Sequence, residues 1–458
     1  MSSKGLTCAS IEPIYMADVS RAKTSNEKNC FVIEGGRELS GVITTNTAKN
    51  SAVSLLMASL INRNSTILRN VPRIEEVFRL IEVMRSLGVQ VSWKQRDLYI
   101  SPPAELQLTN IDRQAALKTR SSMLLMGALS WRNGHYTIPF PGGCKLGERT
   151  LSPHLLAFSE LGIGVHVEKG QLVICGEHRH VADLIMNEAS DVAVENVLLA
   201  AATIDGTTVI RKASANYQVQ ETCLFLQKLG VQVDGIGTST LTVKGCAEIN
   251  LPVEYHLAED PIESMFFIST AIVTRSSIII KRCPIDFLEL ELYKLRQMGF
   301  KFNLSSRYYA SNGHTVLVDI TTFPSTLRSL KDKLHALPYP GINADNLPFF
   351  APIAAASSGK TLIHDWMYEG RANYYLLLKK MGANVVLEDQ HRAFIDGPTE
   401  LFACDLVAPP ALRPAAIVLI AMLAAKGRSV LRNHYPILRG YENLGSRLNG
   451  LGANIWEI

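Results

Sequence analysis

The feature that most limits what this chain can fold into is a Leu-Gly or Met-Gly pair that occurs six times. The copies are Leu87-Gly88, Leu161-Gly162, Leu229-Gly230, Met298-Gly299, Met381-Gly382 and Leu451-Gly452, with glycines 74, 68, 69, 83 and 70 residues apart. Recurrence at a near-constant period marks one supersecondary unit used repeatedly. Ahead of the first copy runs Val77-Phe78-Arg79-Leu80-Ile81-Glu82-Val83-Met84-Arg85-Ser86, whose apolar spacing predicts an amphipathic helix. The glycine then ends the helix in the left-handed conformation. Val89-Gln90-Val91-Ser92-Trp93 follows with the alternation of a half-buried strand.

Upstream in each unit lies a second segment rich in small apolar residues, at 51–60, 121–129, 195–203, 263–272, 347–356 and 415–425. Small side chains let helices approach closely, so these are expected to be inner helices. A turn and a β-branched strand follow, as in Gly206-Thr207-Thr208-Val209-Ile210. Units of about 70 residues exceed a solenoid repeat, and three units in each of two domains suits domain sizes better. The junction is expected between the third and fourth units. There Leu251-Pro252-Val253-Glu254-Tyr255 and Glu259-Asp260-Pro261 carry the prolines of a connection.

Composition excludes several classes. The 458 residues carry a net charge of only +4, with Lys and Arg scattered, so the basic stripe of a nucleic-acid binder is missing. The eight cysteines form no CxxC pair, which favours reduced thiols and a cytoplasmic protein. His178-Arg179-His180 lacks the further ligands of a zinc site, so no metal is expected. The N-terminus shows no secretory signal, and the longest apolar run, 415–425, is about half of what a bilayer requires. Residues 1–29 have no clear periodicity and read as a loose lead.

One loop stands out chemically: Pro141-Gly142-Gly143-Cys144-Lys145-Leu146-Gly147-Glu148-Arg149. Taken alone it is a glycine turn with an incidental thiol. The cations beside Cys144 would favour its thiolate, which is the nucleophilic form.

Together, the six units, this loop, Ala48-Lys49-Asn50, Pro338-Tyr339-Pro340-Gly341 leading to Asp345, and Arg439-Gly440-Tyr441-Glu442 resemble the enolpyruvyl transferases, over residues 31–458. The cysteine loop places the resemblance on the branch with a UDP-sugar acceptor. It implies an α/β fold: a two-domain inside-out α/β barrel of six repeated units, three per domain. Residues 48–258 would form the first domain, and 30–47 with 259–458 the second. The implied reaction moves the enolpyruvyl group of phosphoenolpyruvate to the 3-hydroxyl of UDP-N-acetylglucosamine with release of phosphate. That is the first committed step towards peptidoglycan precursors. No cofactor or metal is implied, and the partners are these small molecules, with no nucleic acid and no membrane.

By the same resemblance, Cys144 and Asp345 would be catalytic, the thiol giving a proton to C3 or adding to phosphoenolpyruvate. Lys49, Asn50, Arg149, Arg413 and Arg439 would bind phosphoenolpyruvate. The acceptor would meet Arg120, Arg149, Thr150, Leu151, Ser152, Pro153, Ala189, Ser190, Asp191, Val192, Asp345, Met367 and Arg371. Asp260 and Glu263 would cap a helix or support the cleft. Some positions depart from the family pattern: Asp191 replaces a Val, Val192 a Gly, Ser152 an Asp, Ala411 an Asp and Pro261 an Arg. A carboxylate at 191 would oppose a diphosphate. The acceptor could therefore be another nucleotide such as UMP, used by a paralogue in a specialised-metabolite pathway. A binding protein that has kept only the fold is the third alternative.

Overall fold

The computed structural model describes residues 29–132, 135–140, 142 and 150–458. Cys144 and Arg149, and all of the N-terminal lead except Asn29, lie outside the described residues.

The recurring glycine does one job six times. Gly88, Gly162, Gly230, Gly299, Gly382 and Gly452 all have positive φ, from 70° at Gly162 to 98° at Gly299 and Gly382. The residue after each donates its N–H to the carbonyl five positions earlier, as in Val89 to Met84 at 3.1 Å and Ala453 to Leu448 at 3.2 Å. This is the bond that closes a helix end around a left-handed residue. The helices so ended are Glu75–Ser86, Ser152–Glu160, Tyr217–Lys228, Glu289–Gln297, Leu376–Lys380 and Leu444–Asn449.

Among the described residues the strands form six sheets of three to five strands. The small-residue segments are helical and buried, including Lys49–Ala58, Asp191–Ala201, Pro261–Val273 and Leu412–Ala424. Pro261–Val273, Phe350–Ala356 and Leu412–Ala424 touch one another pairwise. Between Leu125–Ala128 and Asp191–Ala201 the approach is so close that a Cβ on Gly127 would lie 2.2 Å from the Asn196 carbonyl oxygen. The fold is therefore mixed α/β, with apolar helices covered by sheets.

Two hydrophobic cores are separate. One is built from residues between 52 and 257, the other from residues between 31 and 48 and between 262 and 455, joined by Tyr217. The early strands join the late part of the chain. Cys30–Gly35 runs antiparallel to both Gly427–Arg432 and Ile455–Glu457, and Ser40–Thr44 runs parallel to Ser277–Pro284. The chain then crosses between the cores twice, side by side. Thr47 forms a bridge with Glu259, Ala48 N donates to Ala258 O at 2.8 Å, and Asp260 N donates to Asn46 O at 2.8 Å.

The proline-bearing stretch before this crossing is more than a connection. Val253–His256 is a strand parallel to Thr66–Arg69. Its Val253 and Tyr255 alternate into the core, and this burial outweighs the turn signal of Pro252.

Candidate active site

A cavity of about 820 Å³ lies where the two cores face each other. Three helices begin at its wall: Lys49–Ala58, Asp191–Ala201 and Leu412–Ala424, none of them capped by the side chain of its N-cap residue. Helix N-termini carry partial positive charge and favour anions. Lys49 and Arg413 stand in the first turns of two of these helices, and Arg120 and Arg439 reach the same wall.

Lys49, Arg413 and Arg439 each have a carboxylate or amide partner that orients them. Lys49 Nζ donates to Asn50 Oδ1 at 3.1 Å, and Asn50 Nδ2 donates to the Tyr217 hydroxyl at 3.0 Å. Arg413 Nη2 donates to Asp345 Oδ2 at 3.0 Å and its Nη1 to the Tyr441 hydroxyl at 3.1 Å. Burial alone would raise the Asp345 carboxyl, but the charge of Arg413, with Arg371 and Lys49 behind it, holds it down at about 2. Asp260 caps the Pro261–Val273 helix through the N–H groups of Ile262 and Glu263, and its other oxygen receives Lys49 N at 3.2 Å. Glu263 is an anchor for Arg447 at 2.5 Å.

Of the residues expected to meet the acceptor, Arg120, Thr150, Pro153, Ala189, Ser190, Asp191, Val192, Asp345 and Met367 line the cavity. Leu151, Ser152 and Arg371 are not among the lining residues. Arg371 is fully buried, paired with Asp365 at 2.6 Å, and donates from Nη2 to Ala344 O at 2.7 Å. Its site is behind the loop that carries Asp345, which it supports from within. Of the cysteine loop, Gly142 is described. It is packed so closely on Leu117 that a Cβ there would lie 1.8 Å from the Leu117 carbonyl oxygen.

Asp191 is the unusual group on the acceptor side. It accepts from Ser214 Oγ at 2.5 Å and from Asn216 Nδ2 at 2.8 Å. Asn216 Oδ1 accepts in turn from Asn343 Nδ2 at 3.3 Å, and Asn343 Oδ1 takes the N–H of Asp345 at 2.8 Å. A continuous polar chain thus runs from Asp191 to Asp345. Burial pushes the Asp191 carboxyl up, and the charge of Asp345 adds to this. Burial and the charge of Asp191 push Glu195, one turn further along, well above the carboxylate range. His154 is lowered to about 4 by burial and by Arg120, so it is a neutral ring at neutral pH.

Glu76, Glu195, Asn216 and Asn343 also line the cavity and were absent from the sequence expectations. Glu76 follows Glu75 in the first turn of a helix, where acidic residues ordinarily complement the helix dipole. Nothing local distinguishes it from that role. Among the described residues no cluster of His, Cys, Asp and Glu could hold a metal ion. No described helix is long and apolar enough to cross a membrane.

A cavity with several oriented cations, helix N-termini and an ionised carboxylate suits a substrate carrying more than one negative charge, and a hydroxyl that must be oriented. The chain belongs to the EPSP synthase (3-phosphoshikimate 1-carboxyvinyltransferase) family, whose pattern matches residues 33–446. Within that family it is 32% identical over 429 residues to the UDP-N-acetylglucosamine 1-carboxyvinyltransferase of Treponema denticola, covering 93% of this chain and 98% of the relative. The enzyme of the same name from Treponema pallidum is 33% identical, with coverage of 94% and 99%. Solved structures share the fold. The enolpyruvyl transferase NikO from Streptomyces tendae superposes with a TM-score of 0.80 at 24% identity, covering 94% of this chain and 99% of its own. EPSP synthase from Acinetobacter baumannii gives 0.72 at 18%, with coverage of 94% and 100%.

Proposed function

We propose that this protein transfers the enolpyruvyl group of phosphoenolpyruvate to the 3-hydroxyl of UDP-N-acetylglucosamine and releases phosphate, in the cytoplasm, at the entry to peptidoglycan precursor synthesis. The observation that carries the proposal is the convergence of Lys49, Arg120, Asp345, Arg413 and Arg439 on one cavity. The names of the relatives that match nearly the whole chain support it.

In this account Lys49, Asn50, Arg413 and Arg439, with Arg149, hold the phosphate and carboxylate of phosphoenolpyruvate, since paired cations in a dry cleft bind such groups strongly. Asp345 orients the acceptor hydroxyl. The hydroxyl oxygen bonds to C2 of the enol as the hydroxyl proton passes to the Asp345 carboxylate and the Cys144 thiol gives its proton to C3. The Cys144 thiolate then takes a proton back from C3 while phosphate leaves C2 with the proton held by Asp345, which restores the double bond in the product. Arg120, Thr150, Pro153 and the 189–192 segment receive the nucleotide. The two cores correspond to two domains, 48–258 and 30–47 with 259–458, each a three-unit half of an inside-out barrel that closes on the substrates.

Asp191 favours a second reading, in which the acceptor is a nucleotide without a diphosphate, such as UMP. Phosphate release from phosphoenolpyruvate, measured with each acceptor in turn, separates the two. Turnover with UDP-N-acetylglucosamine supports the first reading, and turnover with UMP alone would replace it by the second.

A further inference from the structure

Glu76 lies at the cavity wall, is 3% exposed, and has no part in the reading above. Its two oxygens face different parts of the chain. Oε1 accepts from Thr119 Oγ1 at 2.5 Å and from Ser121 Oγ at 3.4 Å, the two residues that flank Arg120. Oε2 accepts from both Nε and Nη2 of Arg439, at 3.1 and 2.9 Å. Nearby, Glu442 accepts from Arg73 N at 3.1 Å and from Arg96 Nη1 at 2.8 Å. The 439–442 turn, built on the second core, is thereby fastened to the first. Burial opposes ionisation of Glu76, yet the charges of Lys49 and Arg439 hold its carboxyl below the ordinary range.

We infer that Glu76 is a positioning residue for the phosphoenolpyruvate anion site, fixing the Arg439 guanidinium at the cavity wall and tying it to the 119–121 segment. The inference rests on the proposed reaction and deepens it. A planar fork grips a phosphate or carboxylate well only when its plane is set in advance. The Glu76 carboxylate sets that plane from the protein side, while the Thr119 hydroxyl fixes the carboxylate.

The test compares the full-length wild type with Glu76→Gln and Glu76→Asp, measuring KM for each substrate, kcat and the thermal midpoint. Glu76→Gln removes the charge and points an amide donor at a donor. It should raise KM for phosphoenolpyruvate about tenfold or more, the scale of a lost charged hydrogen bond. KM for the acceptor should stay within about twofold, because the nucleotide does not use Arg439 and the amide oxygen of Glu76→Gln still accepts from Thr119 beside Arg120. Glu76→Asp restores the carboxylate on a shorter stem and should recover part of the loss. An unchanged KM for phosphoenolpyruvate, a fall in it, or an equal rise in both KM values would overturn the inference. Should Glu76→Gln fail to fold, Glu76→Asp decides by the same criterion. Wild type that turns over while Glu76→Gln behaves normally counts against Glu76 alone. Wild type that releases no phosphate with any acceptor removes the functional reading and this inference with it.

Discussion

Asp345 and Arg413 are 68 residues apart in sequence and meet at the cavity wall, Nη2 to Oδ2, at 3.0 Å. Arg413 is 5% exposed and Asp345 25%, so the pair is sheltered on the protein side and open towards the cavity. Its chemical meaning follows from the charge balance. With its carboxyl held at about 2, Asp345 is ionised throughout the neutral range. In that condition it accepts a hydrogen bond from a hydroxyl readily but is a weak base. Its basicity rises when Arg413 or Lys49 turns to another anion, which is what a bound phosphate or carboxylate provides.

The same pair carries a pH signature. The Asp345 carboxyl titrates at about 2 in the fold, below its ordinary value of 3.8. Its contribution to stability is therefore fully present above about pH 4 and is lost as pH falls through about 2. By linkage it is worth roughly 2 kcal/mol at neutral pH. Asp345→Asn should lose about that much in urea unfolding at pH 7, with a flatter stability profile between about pH 4 and pH 2. It should also lower kcat by about a hundredfold or more if the carboxylate orients the acceptor hydroxyl. Wild-type stability with wild-type kcat would show that the pair is incidental.

Asp191 should act on the acceptor alone. Two like unit charges about 4 Å apart, here a carboxylate and a diphosphate, cost roughly 1–4 kcal/mol, depending on the dielectric. Asp191→Asn keeps an oxygen for Ser214 or Asn216, both of which bond to the carboxylate. It should lower KM for UDP-N-acetylglucosamine about fivefold or more, and leave KM for phosphoenolpyruvate unchanged. A raised KM for the UDP-sugar would mean that the carboxylate receives a donor from the acceptor instead.

Arg371 is expected to matter through the fold. Its guanidinium is fully buried with Asp365, stacks 4.3 Å from the Tyr368 ring, and holds the Ala344 carbonyl beside Asp345. Removing one partner of such a pair leaves a buried charge, at a cost of about 3–5 kcal/mol. Arg371→Ala should lower the denaturant midpoint by a corresponding amount. A variant with unchanged stability and a raised acceptor KM would return Arg371 to the acceptor contacts implied by the family resemblance.

Sequence periodicity and the folded chain agree where a short-range rule governs. The six glycines could be recognised because a left-handed helix end is a local requirement, and each has the positive φ that this requires. The buried helices could be recognised from their small residues. Lys49, Asp345, Arg413 and Arg439 could be named from motifs, and they converge on one wall. The partners of these residues could not be named. Glu76 meets Arg439 across 363 positions, and Asn216 meets Asn343 across 127, so no window of sequence contains either pair. The strand at Val253–His256 was hidden by a proline, and the inward position of Arg371 by its family resemblance.

The most direct test of the account follows a labelled carbon skeleton. Phosphoenolpyruvate carrying ¹³C in its three-carbon unit is incubated with the protein and UDP-N-acetylglucosamine, and the nucleotide product is analysed by mass spectrometry and NMR. The account predicts a labelled carboxyvinyl ether on the 3-oxygen of the sugar, with one phosphate released per product formed. Label appearing only as free pyruvate, or phosphate transferred to the nucleotide with the carbon skeleton left behind, would contradict it.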